Sequence, residues 1–395
     1  MPEEAPLKTD RTLYSAGFFQ NIGDQLIKRF INLLAIAVGA TVDQLGTLNA
    51  TSMLASNLFQ VVFGRIADKY GKKRLIAAGR ILNGLTIAAI LLVDTPGWVV
   101  SLVIAASIFT SMAIPSWNSL LGDYTSDSKR GEVIGRVTSV SYIGGLVAMV
   151  TAFLISINQS GPITRASYTP VMILASTANI IAGITALFLK EHPSTSSETL
   201  NLSEITQNKH LIRFLGLVFL YHVGSSVAMP LFPYIMAAKL KLSVWQVAVT
   251  SITNMLAAAI SQPYVGRLLD KVGRKRILAV SRMALASSCL IYPIASSWVH
   301  IAAVEAISGL AISSWMSAQS TYMIDIAPRK LRATYLASSM AAIGVATFIG
   351  SNIGGQLVQN VLGGSLAAVE TGLYIGGALR LVLGLLFLTI KEDRN

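Results

Sequence analysis

Six polar residues crowd an otherwise apolar stretch near the start of the chain: Gln20, Asn21, Asp24, Gln25, Lys28 and Arg29. Asn21, Asp24, Gln25 and Lys28 recur at helical spacing, so a helix carries them on one face. Two chemistries are open to that stripe. Asp24 and Lys28 are four residues apart in the order that favours an ion pair along one helix, so they could neutralise each other. Alternatively, Asp24 is a proton or cation site, and Lys28 with Arg29 seats an anionic group; the guanidinium keeps its charge at any working pH. A second candidate is His222, in the apolar run 211–238. An imidazole can change charge near neutral pH, and it can equally serve as a hydrogen-bonded packing residue. Phe18-Phe19-Gln20-Asn21-Ile22-Gly23 aligns with Phe219-Leu220-Tyr221-His222-Val223-Gly224, which sets His222 at the place of Asn21.

The elements that hold these residues must be membrane helices. Of the 395 residues 53% are hydrophobic and only 13% charged, about half the charge of a soluble domain. A spanning helix needs roughly 20 mostly apolar residues. That length predicts spans near 12–39, 43–64, 75–93, 98–121, 133–157 and 170–189, then 211–238, 243–265, 277–296, 299–322, 333–357 and 370–389. The chain is thus expected to be an all-α integral membrane protein with twelve transmembrane helices. Residues 1–190 form an N-terminal six-helix half and residues 211–395 a C-terminal one. The polar stretch 191–210 between them lacks apolar periodicity and reads as a cytoplasmic linker.

The net charge of +12 does not indicate nucleic-acid binding, because the basic residues lie in short clusters between apolar runs. Arg65–Arg80, Lys129–Arg136, Arg267–Arg282 and Arg329–Arg332 fall on one side together with both tails, and Arg165, Lys239 and Lys241 fall on the other. This asymmetry predicts a multi-pass cell-membrane protein with both termini cytoplasmic. Trp98, Trp245 and Trp298 then sit at outer span ends, where indole rings favour the headgroup region. Met1 to Asp10 is polar, so no cleaved signal peptide is expected. The single cysteine, Cys289, lies in an apolar run and leaves no disulfide or thiolate metal site to expect. Neither a metal nor a cofactor is expected.

The halves repeat each other. Gly64, Asp68, Arg80, Asp123 and Arg130 pair with Gly266, Asp270, Arg282, Asp325 and Arg332 at one fixed offset. Such parallel repeats characterise a transporter architecture. Gly64-Arg65-Ile66-Ala67-Asp68-Lys69-Tyr70-Gly71-Lys72-Lys73-Arg74 resembles the signature loop between the second and third helices of the major facilitator superfamily. Gly266-Arg267-Leu268-Leu269-Asp270-Lys271-Val272-Gly273-Arg274-Lys275-Arg276 repeats it in the second half. Glycine at 64 and 266 lets helices pack closely, and Gly71 and Gly273 suit a tight turn. The resemblance implies a conformational latch built from Gly64, Asp68, Gly71, Arg74, Gly266, Asp270, Gly273 and Arg276. Asp123, Arg130, Asp325 and Arg332 resemble the family's weaker cytoplasmic motif, for bracing or gating. An aspartate at the end of a helix opposes its dipole and should have a cationic partner. Drug antiporters of the family usually carry Gly-Pro-x-x-Gly-Gly in the fifth helix; here Ser141-Tyr142-Ile143-Gly144-Gly145 has no proline.

Other interior groups have simpler readings. Glu305 and Arg380 fall at similar depth in the tenth and twelfth spans, so mutual pairing is expected. Pro230 and Pro233 should kink or unwind the seventh span. Trp117 and Trp315 are packing residues or cavity walls. No Gly-x-x-x-x-Gly-Lys-Ser/Thr loop occurs, so an ion or substrate gradient supplies the energy. His192, His210, His222 and His300 are too scattered for an enzyme centre. The resulting expectation is a secondary active transporter for a small-molecule substrate, with protons as candidate coupling ions and the lipid bilayer as its surroundings. Lys28, Arg29 and Arg380 outnumber Asp24 and Glu305, which tilts the substrate toward an organic anion or zwitterion. Proton-driven efflux of lipophilic cations and a non-transporting membrane sensor are the alternatives. A monomer is expected.

Overall fold

A computed structural model describes residues 7, 9–125, 130–159, 164–192, 208–328 and 331–390, without the side chains of residues 58, 61, 65, 68, 130, 131, 270 and 332–334. Every regular element among them is helical. In the first half these are α1 (Arg11–Ala37), α2 (Val42–Tyr70), α3 (Lys72–Ile90), α4 (Pro96–Asp123), α5 (Arg130–Ser156) and α6 (Arg165–Leu187). In the second half α7 (Lys209–Ser226) is followed by the short α8 (Leu231–Tyr234) and a π turn, and α9 (Val244–Val272) comes next. The ninth segment is two pieces, α10 (Arg274–Ala284) and α11 (Ala286–Ile294). It is followed by α12 (Trp298–Ile326), α13 (Arg332–Gln356) and α14 (Leu366–Leu385). A helix therefore lies on each segment that hydropathy had marked.

Local chemistry sets several boundaries. Asp10 caps α1 by accepting the Leu13 N–H at 3.0 Å. Ser243 and Gln246 form a capping box at the start of α9. Gly71 and Gly273 separate α2 from α3 and α9 from α10 at φ of 97° and 92°, values costly for a residue with a Cβ. Their N–H groups bond back to Ala67 and Leu269 respectively, so both halves turn in the same way. The seventh segment is interrupted by turns over residues 227–230, up to Pro230 and ahead of Pro233, as their ring chemistry predicts. Trp245 and Trp298, at the starts of α9 and α12, meet edge to face at 5.7 Å.

Nine of the described helical segments are long and apolar enough to cross a membrane. The first three are not among them. Asp24, Lys28 and Arg29 interrupt α1, Asn49, Asn57 and Gln60 lower the hydropathy of α2, and Lys72, Lys73, Arg74 and Arg80 load α3. Polar residues are thus concentrated at the front of the chain.

The residues group into two compact units, Met1–Ala40 with Ala55–Glu198, and Thr41–Leu54 with Thr199–Asn395. In the first, α1 packs on α5 and α6, and α3 on α4 and α6. In the second, α7 packs on α13 and α14, and the α10–α11 pair on α12 and α14. The duplication seen in the sequence recurs as a duplicated packing scheme.

Candidate functional site

On α1, Ile22, Leu26 and Phe30 are buried, whereas Asn21, Asp24, Gln25 and Arg29 are half-buried and Lys28 is exposed. The polar stripe is therefore less buried than the apolar face of α1. Asp24 accepts a charge-assisted bond from Arg80 Nη1 at 2.5 Å, and Arg80 is 0% exposed while the Asp24 side chain is 35% exposed. Arg80 Nη1 also reaches Asn179 Oδ1 on α6 at 3.2 Å. Asn179 is held in place because its Nδ2 donates to the Ala175 carbonyl. Nε and Nη2 of Arg80 are buried without a hydrogen-bond partner among the described residues, so Asp24 is the main compensation for this cation.

The carboxylate of Asp24 is thus bonded by Arg80, a partner that the sequence reading did not offer. Arg80 itself is not part of a cytoplasmic basic cluster: it lies more than two turns into α3 and points into the bundle. Adjacency to Lys72–Arg74 hid it, although its exact repeat at Arg282 was a usable signal.

Arg282 is also buried, but it is held differently. Its guanidinium lies 3.5 Å from the ring centroid of Trp315 and 4.7 Å from that of Tyr221, close enough for cation–π attraction. The Tyr221 hydroxyl donates to the Arg282 carbonyl at 2.9 Å. Arg282 Nη2 approaches His222 Nε2 at 3.2 Å, and His222 Nδ1 lies 2.8 Å from the Val218 carbonyl. A carbonyl only accepts and a guanidinium only donates, so the neutral Nδ1–H tautomer alone satisfies both contacts. No carboxylate pairs with Arg282 among the described residues. Trp315 is therefore a packing surface for a cation. Trp117 belongs to the buried core of the first unit.

The signature loops repeat an ion pair that spacing did not reveal. Lys72 Nζ bonds both oxygens of Asp123, at 2.7 and 2.8 Å, and Arg274 Nε bonds Asp325 at 3.0 Å. Each aspartate thus obtains its cation from the helix after the glycine turn; the side chains of Arg130 and Arg332 lie outside the described residues. So do those of Asp68 and Asp270. Arg74 and Arg276 are exposed. A Cβ on Gly64 would meet Pro115 only at 3.9 Å, and one on Gly266 would meet nothing within 4 Å. Among the described residues, therefore, no close approach is seen at these two glycines. The first loop is tied further: Glu191 accepts the Lys73 N–H at 2.9 Å, and Asp123 accepts the His192 N–H at 3.2 Å. Tyr124 donates to the Lys190 carbonyl at 3.0 Å, and burial raises its phenol above the ordinary range.

Glu305 and Arg380 do not pair as expected. Glu305 accepts from Asn254 Nδ2 at 2.9 Å and from the Tyr292 hydroxyl at 3.0 Å. Arg380 turns to backbone carbonyls on other helices.

The comparisons with known proteins agree with this duplicated helical scaffold. The model of the Major Facilitator Superfamily matches residues 13–215 and again 214–395. An uncharacterized MFS-type transporter of Methanocaldococcus jannaschii is 22% identical, over 96% of this chain and 95% of its own length. The multidrug resistance protein MdtG of Dickeya zeae is 24% identical over 82% of each chain. The crystal structure of the nucleoside transporter NupG superposes with a TM-score of 0.77 at 14% identity, covering 97% of this chain and 99% of that one. With the family model matched across both halves, and apolar helices in each, the chain belongs to the Major Facilitator Superfamily as an integral membrane transporter.

Proposed function

We propose that this transporter moves a small organic anion or zwitterion across the cell membrane by alternating access, with Asp24 as the site of proton coupling. The observation that carries the reading is the Asp24–Arg80 pair: a partly open carboxylate set against a wholly buried guanidinium. While Asp24 is ionised the pair is neutral. Protonating Asp24 would leave the charge of Arg80 uncompensated, so a proton and an anion would favour each other's binding. Linkage makes that coupling reciprocal. Arg282, which has no carboxylate partner among the described residues, adds to the cationic excess. The wider scheme has twelve spans, halves at 1–190 and 211–395 joined by a cytoplasmic linker, both termini cytoplasmic, and a monomer. In it the glycine loops at 64–74 and 266–276 latch one conformation.

The test is a thermal-shift screen of the purified full-length protein against organic anions, zwitterions and lipophilic cations at two pH values. A ligand at 100 times its dissociation constant adds about 2.7 kcal/mol of stability. Stabilisation by an anion or zwitterion, stronger at the lower pH and lost in Lys28→Ala, is the expected result. Stabilisation by lipophilic cations alone, lost in Asp24→Asn, would replace this reading with proton-driven drug efflux. That second reading is favoured by the relatives named as multidrug resistance proteins and efflux pumps.

A further inference from the structure

The second unit contains two interrupted helical segments, and one side chain bonds to both interruptions. Arg380, buried on α14, donates from Nη1 to the Leu285 carbonyl at 2.8 Å and from Nη2 to the Ser225 carbonyl at 3.1 Å. Leu285 is the single residue between α10 and α11, and Ser225 lies in the last turn of α7.

Both carbonyls sit where the helical ladder is disturbed. Beyond α7, the Met229 N–H turns to Ser226, one residue tighter than the α pattern, and so does not serve Ser225. Pro230 and Pro233 follow without N–H groups of their own. At the other break, the Ser287 hydroxyl donates to the Ala284 carbonyl at 2.6 Å, another side chain competing within the ladder. The C-terminal ends of α7 and α10 carry partial negative charge, which favours a cation. Broken membrane helices commonly use such ends to coordinate ions; here a guanidinium supplies the charge permanently.

The rest of α14 is shaped to reach these breaks. A Cβ on Gly376 would come within 2.8 Å of the Ala228 side chain in the first interruption, and one on Gly377 within 3.0 Å of Cys289 just past the second. The ring of Phe232, at the start of the segment beyond the first break, lies 5.2 Å from the guanidinium. A buried arginine is costly in a membrane helix, and its two planar donor groups are matched to two carbonyls that no single helix provides.

We propose that Arg380 is a positioning residue that pins the interruptions of the seventh and ninth segments to α14, so that the pieces beyond the breaks move as one body. The inference does not depend on the substrate. The native cysteine reports on it, because Cys289 is the only cysteine in the chain and is buried beside the pinned break. The experiment measures N-ethylmaleimide labelling of Cys289 in the full-length protein reconstituted in liposomes, alongside its thermal unfolding midpoint. Arg380→Met should speed labelling about tenfold or more, the effect of losing a charge-assisted hydrogen bond. It should do so below the unfolding transition. Labelling at the native rate would overturn the proposal, as would a rise that merely follows a lowered midpoint. If Arg380→Met does not insert, Arg380→Lys carries the test, since it keeps the charge but lacks the planar fork. A severalfold rise is expected there, and native behaviour would overturn the bridging role.

Discussion

Arg80 and Arg282 occupy matching places in the two copies of one helical unit, yet they are kept in the interior by opposite means. Arg80 is bonded to a carboxylate, Asp24, that is itself partly open. Arg282 lies against the faces of Trp315 and Tyr221 and touches a neutral imidazole. Duplication preserved the buried cation while its surroundings diverged. The consequence is electrostatic. A proton can discharge the partner of Arg80, whereas a proton on His222 would place two cations in contact. Among the described residues, the buried arginine of the first unit is thus paired with a carboxylate and that of the second is not.

Substitutions that strip each arginine of its support should break this comparison if it is wrong. Asp24→Asn leaves Arg80 buried without a counter-charge and should have the largest effect, about 3 kcal/mol of stability because Asp24 is partly open. The unfolding midpoint should drop, and pH-gradient dependence of transport should vanish; a mutant that still concentrates substrate with the gradient would rule out Asp24 as the coupling site. Arg282→Met removes a charge that has no carboxylate partner among the described residues. It should cost about 2 kcal/mol, mostly lost cation–π contact. A loss larger than that of Asp24→Asn would show that Arg282 has the stronger partner.

The glycine turns sharpen the comparison at the loops. Gly71→Ala and Gly273→Ala should each cost about 1–3 kcal/mol, because their positive φ with extended ψ is open essentially only to glycine. Gly71→Ala should cost more than that alone, since the new Cβ would lie 2.9 Å from Glu191 Oε1. Equal unfolding midpoints would mean Glu191 moves aside freely. The smallest effect is expected from His222→Gln, whose amide can still donate to Val218 and accept from Arg282. It should cost under about 1 kcal/mol and leave the pH profile of flux unchanged. A shifted profile would move the coupling site into the second unit.

The helices, the duplication, the glycine turns and the polar stripe of α1 could all be read along the chain, because each depends on neighbours a few residues away. Hydropathy is a local sum, a left-handed turn needs a glycine at one position, and four polar residues at helical spacing share a face wherever the helix goes. The partners of the buried charges could not be read in that way. Asp24 finds Arg80, Lys72 finds Asp123, and Arg380 finds Ser225 and Leu285, all across helix–helix contacts between residues far apart in sequence. Chain proximity offered Lys28 as one reading for Asp24 and did not bring up Arg80, and matching depth suggested Glu305 for Arg380. A buried cation takes the best-placed acceptor on the helices packed around it, and the tertiary structure alone decides which acceptor that is.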